Sequence, residues 1–299
     1  MKKFLLLITL FCSTVYANTL EFTVMHAAGG VSDIVTRFLA KETSSNLTVV
    51  NRPGAAGKIA MGHLMSEKTI LLATMPQVFV TNPLNFKDLN YDPLVDLDVI
   101  ATVGVMPSAL LCNNKTGIES VKDLQSYTKP LTFAVGGYGS SEHVSTEVLL
   151  KKVKVNGIIV PYAQGGNKSV MDLLGGHVDC MFGNFPTIKA YTNNPSVKLI
   201  LTSHNMGLNS ATWEKEFREP FPLQNYLSVI APKTMDQEIK KKITLDFTQA
   251  FQKTEFSNSL RELGVFPRSS TDAQEIQKSL KANDAIKKFI LDNNIRVSQ

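Results

Sequence analysis

The stretch Glu21-Phe22-Thr23-Val24-Met25, followed by His26-Ala27-Ala28-Gly29-Gly30-Val31 and then Ser32-Asp33-Ile34-Val35, decides how this chain folds. Its first five residues are rich in β-formers and read as a strand. The glycine loop comes next, and Ser32 opens a helix whose Ile34, Val35, Phe38 and Leu39 recur at helical spacing, giving one apolar face. Leu47 to Val50 is the following strand. A β-loop-α-β unit this short implies parallel strands joined by a right-handed crossover.

The design returns further along. Leu131 to Val135 is a strand, Gly136-Gly137-Tyr138-Gly139 a glycine loop, and Ser140-Ser141 the start of a helix carrying Val144, Val148 and Leu149. Gly157 to Pro161 is the strand after it. A further helix over Asn167 to Leu174 ends at Gly175-Gly176, where a left-handed cap is wanted. His177 to Phe182 then alternates as a strand, with Val178, Cys180 and Phe182 on one face.

Such loops have a specific chemistry. Parallel strands aim their carboxyl ends at the next helices, and ligands bind in that crevice. A helix start offers unpaired N–H groups and about half a positive charge. Glycine lets an oxyanion reach the main chain with no Cβ in the way. Two such ends in separate halves of the chain imply two lobes facing one cleft.

Catalytic readings fail at identifiable residues. Gly54-Ala55-Ala56-Gly57-Lys58 looks like a phosphate loop, but Arg52 replaces its first glycine and Ile59 its metal-binding hydroxyl. Gly137-x-Gly139 lacks the third glycine of a dinucleotide site, because Glu142 stands there. Ser140 sits at a strand-to-helix elbow near His143, but the glycine that a hydrolase elbow needs at position 142 is absent. Ser140 reads as a helix cap or ligand donor, with a secreted serine hydrolase using Ser140 and His143 as the competing class. A ligand-free sensor or scaffold is the third. No catalytic residue, metal site or cofactor is assigned: there is no CxxC, and His143 with Glu147 does not make a zinc site.

The bulk numbers agree with an exported globular protein. Lys2-Lys3, an apolar run from Phe4 to Phe11 and the small-residue ending Val15-Tyr16-Ala17 read as a signal peptide over 1–17, cleaved after Ala17. A lipid anchor at Cys12 is disfavoured by the bulky Phe11 before it. No later stretch reaches the ~18 apolar residues of a membrane helix. The formal charge of +5 falls to +3 without Lys2 and Lys3, and Lys240-Lys241-Lys242 is the lone basic run. That excludes a nucleic-acid stripe. Cys112 and Cys180 survive maturation among apolar neighbours, which favours two buried, free thiols over a bridge.

The ordered motifs resemble one family. His26 to Arg37 is similar to the "AGG-x-x-D-x-x-x-R" opening of the tripartite tricarboxylate transporter receptors, also called the Bug family. Val49-Val50-Asn51-Arg52-Pro53-Gly54-Ala55-Ala56-Gly57 resembles their "V-x-N-R-P-G-A-G-G" element. Gly139 to His143, Val160-Pro161-Tyr162-x-x-Gly165-Gly166 and Asp172 to Asp179 follow in the family's order.

The resemblance implies an α/β, periplasmic-binding-protein-like fold: two α/β domains around a cleft, joined by crossover strands near Thr102 to Cys112 and Asn225 to Pro232. Domain I would comprise 18–107 plus 227–299, and domain II 108–226. It implies a monomeric periplasmic receptor, not an enzyme, that hands a small carboxylate (a di- or tricarboxylate, amino acid or aromatic acid) to membrane permease subunits.

Ligand contacts carried over by position are Ala28, Gly29, Gly30, Ser32 and Asp33 in one lobe and Gly139, Ser140, Ser141 and His143 in the other. Tyr162 is added as a cleft wall and Asn184 as a further contact. Asp33 is open between orienting a ligand and pairing with Arg37. One departure stands out: Thr202-Ser203-His204-Asn205-Met206 runs into Trp213-Glu214-Lys215 without the family's Arg and "P-x-x-P-T".

Overall fold

Thr69–Thr74 is buried along its whole length, with Ile70 and Leu72 in one apolar cluster and Leu71 and Ala73 in another. A strand covered on both faces belongs at the middle of a layered α/β structure. In the computed structural model, which describes residues 19–297 apart from 67–68, 163–165 and 296, that is where it lies. The expected signal peptide, 1–17, falls outside the described residues.

Among the described residues the strands form two six-stranded sheets. In chain order they are β1 (Leu20–Val24), β2 (Leu47–Asn51), β3 (Thr69–Thr74), β4 (Leu97–Val105), β5 (Ser108–Asn113), β6 (Leu131–Val135), β7 (Gly157–Pro161), β8 (Cys180–Asn184), β9 (Val197–Thr202), β10 (Ala211–Thr212), β11 (Tyr226–Pro232) and β12 (Phe266–Ser270). The first sheet runs β12-β4-β11-β3-β1-β2 and the second β10-β9-β5-β8-β6-β7.

Each sheet has a parallel trio, β2-β1-β3 or β7-β6-β8, flanked by an antiparallel strand, β11 or β5. The chain passes from the first sheet to the second through Met106-Pro107 and returns at Asn225, and Met106 N–H donates to Asn225 O at 2.9 Å. These crossings are the expected crossover strands.

The helices are α1 (Val31–Glu42), α2 (Lys58–Ser66), α3 (Asn82–Asn85), α4 (Val121–Ser126), α5 (Ser141–Val153), α6 (Gly166–Gly175), α7 (Phe185–Ile188), α8 (Trp213–Phe217), α9 (Gln237–Phe251), α10 (Thr254–Glu262) and α11 (Ala273–Asp292). Helix α11 lies against β4 and also reaches α5, where Ile286 and Phe289 meet Val144, Val148 and Leu223 in an apolar seam. One apolar cluster therefore runs through both halves.

Two expectations change. The strand expected from His177 begins only at Cys180. Gly176, at φ +77°, donates to Leu173 O while His177 N–H reaches Asp172 O, a two-bond closure of α6 that uses up the residues before the strand. The cysteines are buried as expected, but not free. Cys112 faces Cys180 directly across the antiparallel β5–β8 pair, their Cα atoms 4.0 Å apart, and they form a disulfide.

Candidate ligand-binding site

At the carboxyl end of β1 the chain turns through exposed Ala28, Gly29 and Gly30 into α1. The helix begins at Val31 with Gly30 as its extended cap residue, one position earlier than Ser32 suggested. Gly29 has φ +81° with no atom within 4 Å of where a Cβ would stand, so the left-handed conformation rather than crowding demands glycine. Ser32 and Asp33 are buried. The Asp33 carboxylate accepts from Gly29 N–H at 2.9 Å and from Arg37 Nε at 3.1 Å. Arg37 also donates to Asn51 Oδ1, and Asn51 Nδ2 to His26 O.

Of the two readings left open for Asp33, the pairing with Arg37 is thus the one observed. Burial alone would raise the Asp33 carboxyl, but Arg37 and the Gly29 amide outweigh it and hold the pKa below the ordinary carboxylate value. The loop is electrically balanced, and the first-turn amides of α1 keep no intrahelical partner.

The second loop repeats the strand–glycine–helix plan with different glycine conformations and different side chains. Gly137 and Gly139 take φ +132° and +76°. Ser140 caps α5, its Oγ accepting from His143 N–H at 3.1 Å. The His143 imidazole is 1 % exposed and folds back, Nδ1 accepting from Gly139 N–H at 3.1 Å with the Tyr138 ring edge-on to it. Burial pushes its pKa down to about 4, so it is neutral at pH 7. An Nδ1 lone pair already held by an amide leaves the ring no base to offer the Ser140 hydroxyl, whose own oxygen faces the main chain. The pair is a loop lock rather than a dyad.

Ser141 and Glu142 gather with Asn184, at the end of β8, and Asn225, at the return crossing. Tyr162 is half-buried against the second-sheet core. Its hydroxyl donates to Asp172 at 2.7 Å, and burial together with that carboxylate raises its pKa to about 12. It is anchored on α6.

The sequence reading missed the segment that meets the second loop. A Cβ on Gly139 would fall 2.8 Å from Val297 O and within 3.7 Å of Thr81 and Asn85. Thr81 ends a π-helical turn, Gln77–Thr81, that leaves the carboxyl end of β3, the parallel neighbour of β1. The second loop therefore packs against the turn that follows β3, the strand beside β1. Pro76 after a fully buried strand is the signal that marks this turn, and π-turns cluster at functional sites.

His26 was passed over as well. It is exposed, and desolvation by the surrounding protein lowers its pKa. The departing tract builds a recess of about 200 Å³ between His204, Thr212, Glu214 and Gln224. His204 is tied to Ser203 and Gln224 and packs edge-on to Phe266 of β12. Among the described residues no group of three His, Cys, Asp or Glu suits a metal, and no helix is long and apolar enough to cross a membrane.

Residues 31–294 match the tripartite tricarboxylate transporter family receptor. The chain belongs to that family. It is 25% identical over 274 residues to Protein BugT of Bordetella pertussis, covering 86% of this chain and 84% of that one. A UPF0065 protein of Cupriavidus necator is 26% identical over 285 residues, covering 89% and 86%. Among solved structures, the periplasmic binding protein BugD superposes with a TM-score of 0.79 at 21% identity, over 94% of this chain and 99% of that one. An adipate-bound protein of R. palustris gives 0.81 at 23% identity, over 94% and 98%. MatC from Rhodopseudomonas palustris, with bound malate, gives 0.77 at 20% identity, over 91% and 98%. These likenesses place the fold among periplasmic binding proteins.

Proposed function

We propose that this receptor captures a small carboxylate in the periplasm, between the Gly29 and Ser140 loops, and delivers it to permease subunits of a tripartite transporter. The carrying observation is the pair of strand–glycine loop–helix units, with an uncapped helix start at α1 and Gly139 packed against the turn that follows β3, the parallel neighbour of β1. Adipate and malate in two structural neighbours give the ligand class.

The lobes would be 18–107 with 227–299 and 108–226. Main-chain donors around Ala28, Gly29, Gly30 and Ser32 would meet the carboxylate from one side, and Gly139, Ser140, Ser141 and Asn184 would close on the other. His143 and Asp33 would shape the loops rather than touch the guest. Each hydrogen bond to a charged group contributes roughly 1.5–3 kcal/mol. Three or four, less the cost of lost ligand freedom, give roughly micromolar binding.

The test is a thermal-shift panel of dicarboxylates, tricarboxylates, amino acids and aromatic acids on the mature chain. A ligand at about 100 times its Kd adds ~2.7 kcal/mol. For lobes of this size that raises the midpoint by several degrees. If no compound moves it, the receptor reading gives way to a scaffold. For export, the amino terminus of secreted protein should read Asn18.

A further inference from the structure

Over the carboxyl ends of β6 and β8 a carboxylate and an unmatched amide oxygen gather. Glu142, in the first turn of α5, is half-buried, with Oε1 2.6 Å from Asn184 Nδ2 and Oε2 3.4 Å from the Ser141 hydroxyl. Its Oε2 also stands 3.2 Å from where a Cβ on Gly136 would be, so the carboxylate lies on the glycine loop itself. Among the described residues Glu142 has no ion pair. Asn225, 1 % exposed, donates from Nδ2 to Asn184 Oδ1 at 3.1 Å, and its own Oδ1 is a buried acceptor with no donor.

The place where an arriving carboxylate would gain most from a helix start thus already holds one of the chain's own. A second carboxylate brought there meets like charge, whereas an ammonium or amide supplies the missing donors. At the other loop Arg37 neutralises Asp33, and the open α1 amides remain suited to an anion.

We propose that Glu142 sets the ligand's second end: resting on the receptor reading above, the guest carries a carboxylate towards α1 and a hydrogen-bond donor, an ammonium or carboxamide, towards Glu142 and Asn225. The class is an amino acid or amide-bearing acid rather than a plain dicarboxylate.

Calorimetric titration of the mature chain with succinate, glutarate, aspartate, glutamate and 4-aminobutyrate tests this. At least one amino compound should bind about tenfold or more tightly than both plain dicarboxylates. Glu142→Gln, nearly isosteric, should weaken that compound about tenfold to a hundredfold and leave succinate and glutarate no weaker, with Glu142→Ala giving the same order. Plain dicarboxylates binding as well as their amino counterparts, or a ratio unmoved by either variant, would overturn this inference alone. Silence from all five probes and from the wider acid panel would remove the receptor reading and this one with it.

Discussion

At the first glycine loop Asp33 holds the Gly29 amide and is neutralised one turn along by Arg37; at the second, Ser140 caps the helix and Glu142 is left among amides and hydroxyls. The backbones follow one plan, with glycines at positive φ leading into a helix start. Their charges do not. A shared strand–loop–helix pattern therefore specifies where main-chain donors point, while the acids and bases of the first turn decide what each end will accept. A second contrast lies beneath: β5 and β8 are stapled by Cys112–Cys180, and the first sheet has no such bridge among the described residues.

The largest way to break this contrast is to cut the staple. Cys112→Ser with Cys180→Ser opens a link between residues 68 apart, which costs about 4 kcal/mol on a chain-entropy account, and chemical denaturation should show the second half unfolding first.

Acid separates the two loops next. The folded pKa of His143 lies below its ordinary 6.5, so the unfolded chain takes up that proton first. Stability is lost as pH falls from about 6.5 towards about 4, on the order of 3 kcal/mol in all. Asp33 is depressed in the opposite charge sense. Its contribution persists above the ordinary carboxylate pKa and fades only as pH falls below it. Hydrogen exchange at Gly139 N–H should thus quicken, after correction for intrinsic rates, at milder acid than at Gly29 N–H; simultaneous loosening would end the distinction.

Smaller effects follow. Asp33→Ala removes a charge-assisted pair of bonds from a buried position and should cost about 2 kcal/mol in denaturant melts. Ser140→Ala deletes a cap worth about 1 kcal/mol, and Ser140→Gly should cost only a few tenths. Arg37→Ala, at a half-exposed partner, should cost less than about 1 kcal/mol.

The β–loop–α units were legible from the sequence because glycine and 3.6-residue periodicity are local signals, readable at Met25 to Leu39 or Val135 to Leu149 without knowing the rest; the two crossings were expected only from the family resemblance. The cysteine bridge was not. It depends on the β5–β8 register, set by strands far apart in the chain, and the apolar neighbours of Cys112 and Cys180 are equally compatible with free thiols. Glu142 was read as a spoiler of two catalytic motifs, because only the folded chain brings Asn184 and Asn225 to it. The π-turn after β3 escaped for a similar reason: Gln77 to Thr81 is rich in β-formers, and its helical placement follows from packing against Gly139 and α11. In the loops themselves, spacing showed which main-chain groups are offered, but not that His143 turns inward to hold Gly139.

The seam between α5 and α11 bears on how a guest gets in. Parting the two helices would return Val144, Val148, Ile286 and Phe289 to water, at up to roughly 1.5–3 kcal/mol for each fully bared side chain. Rolling one half about that greasy line leaves it covered. A doorway on the far side from the seam would keep that strip of oil covered while the halves part.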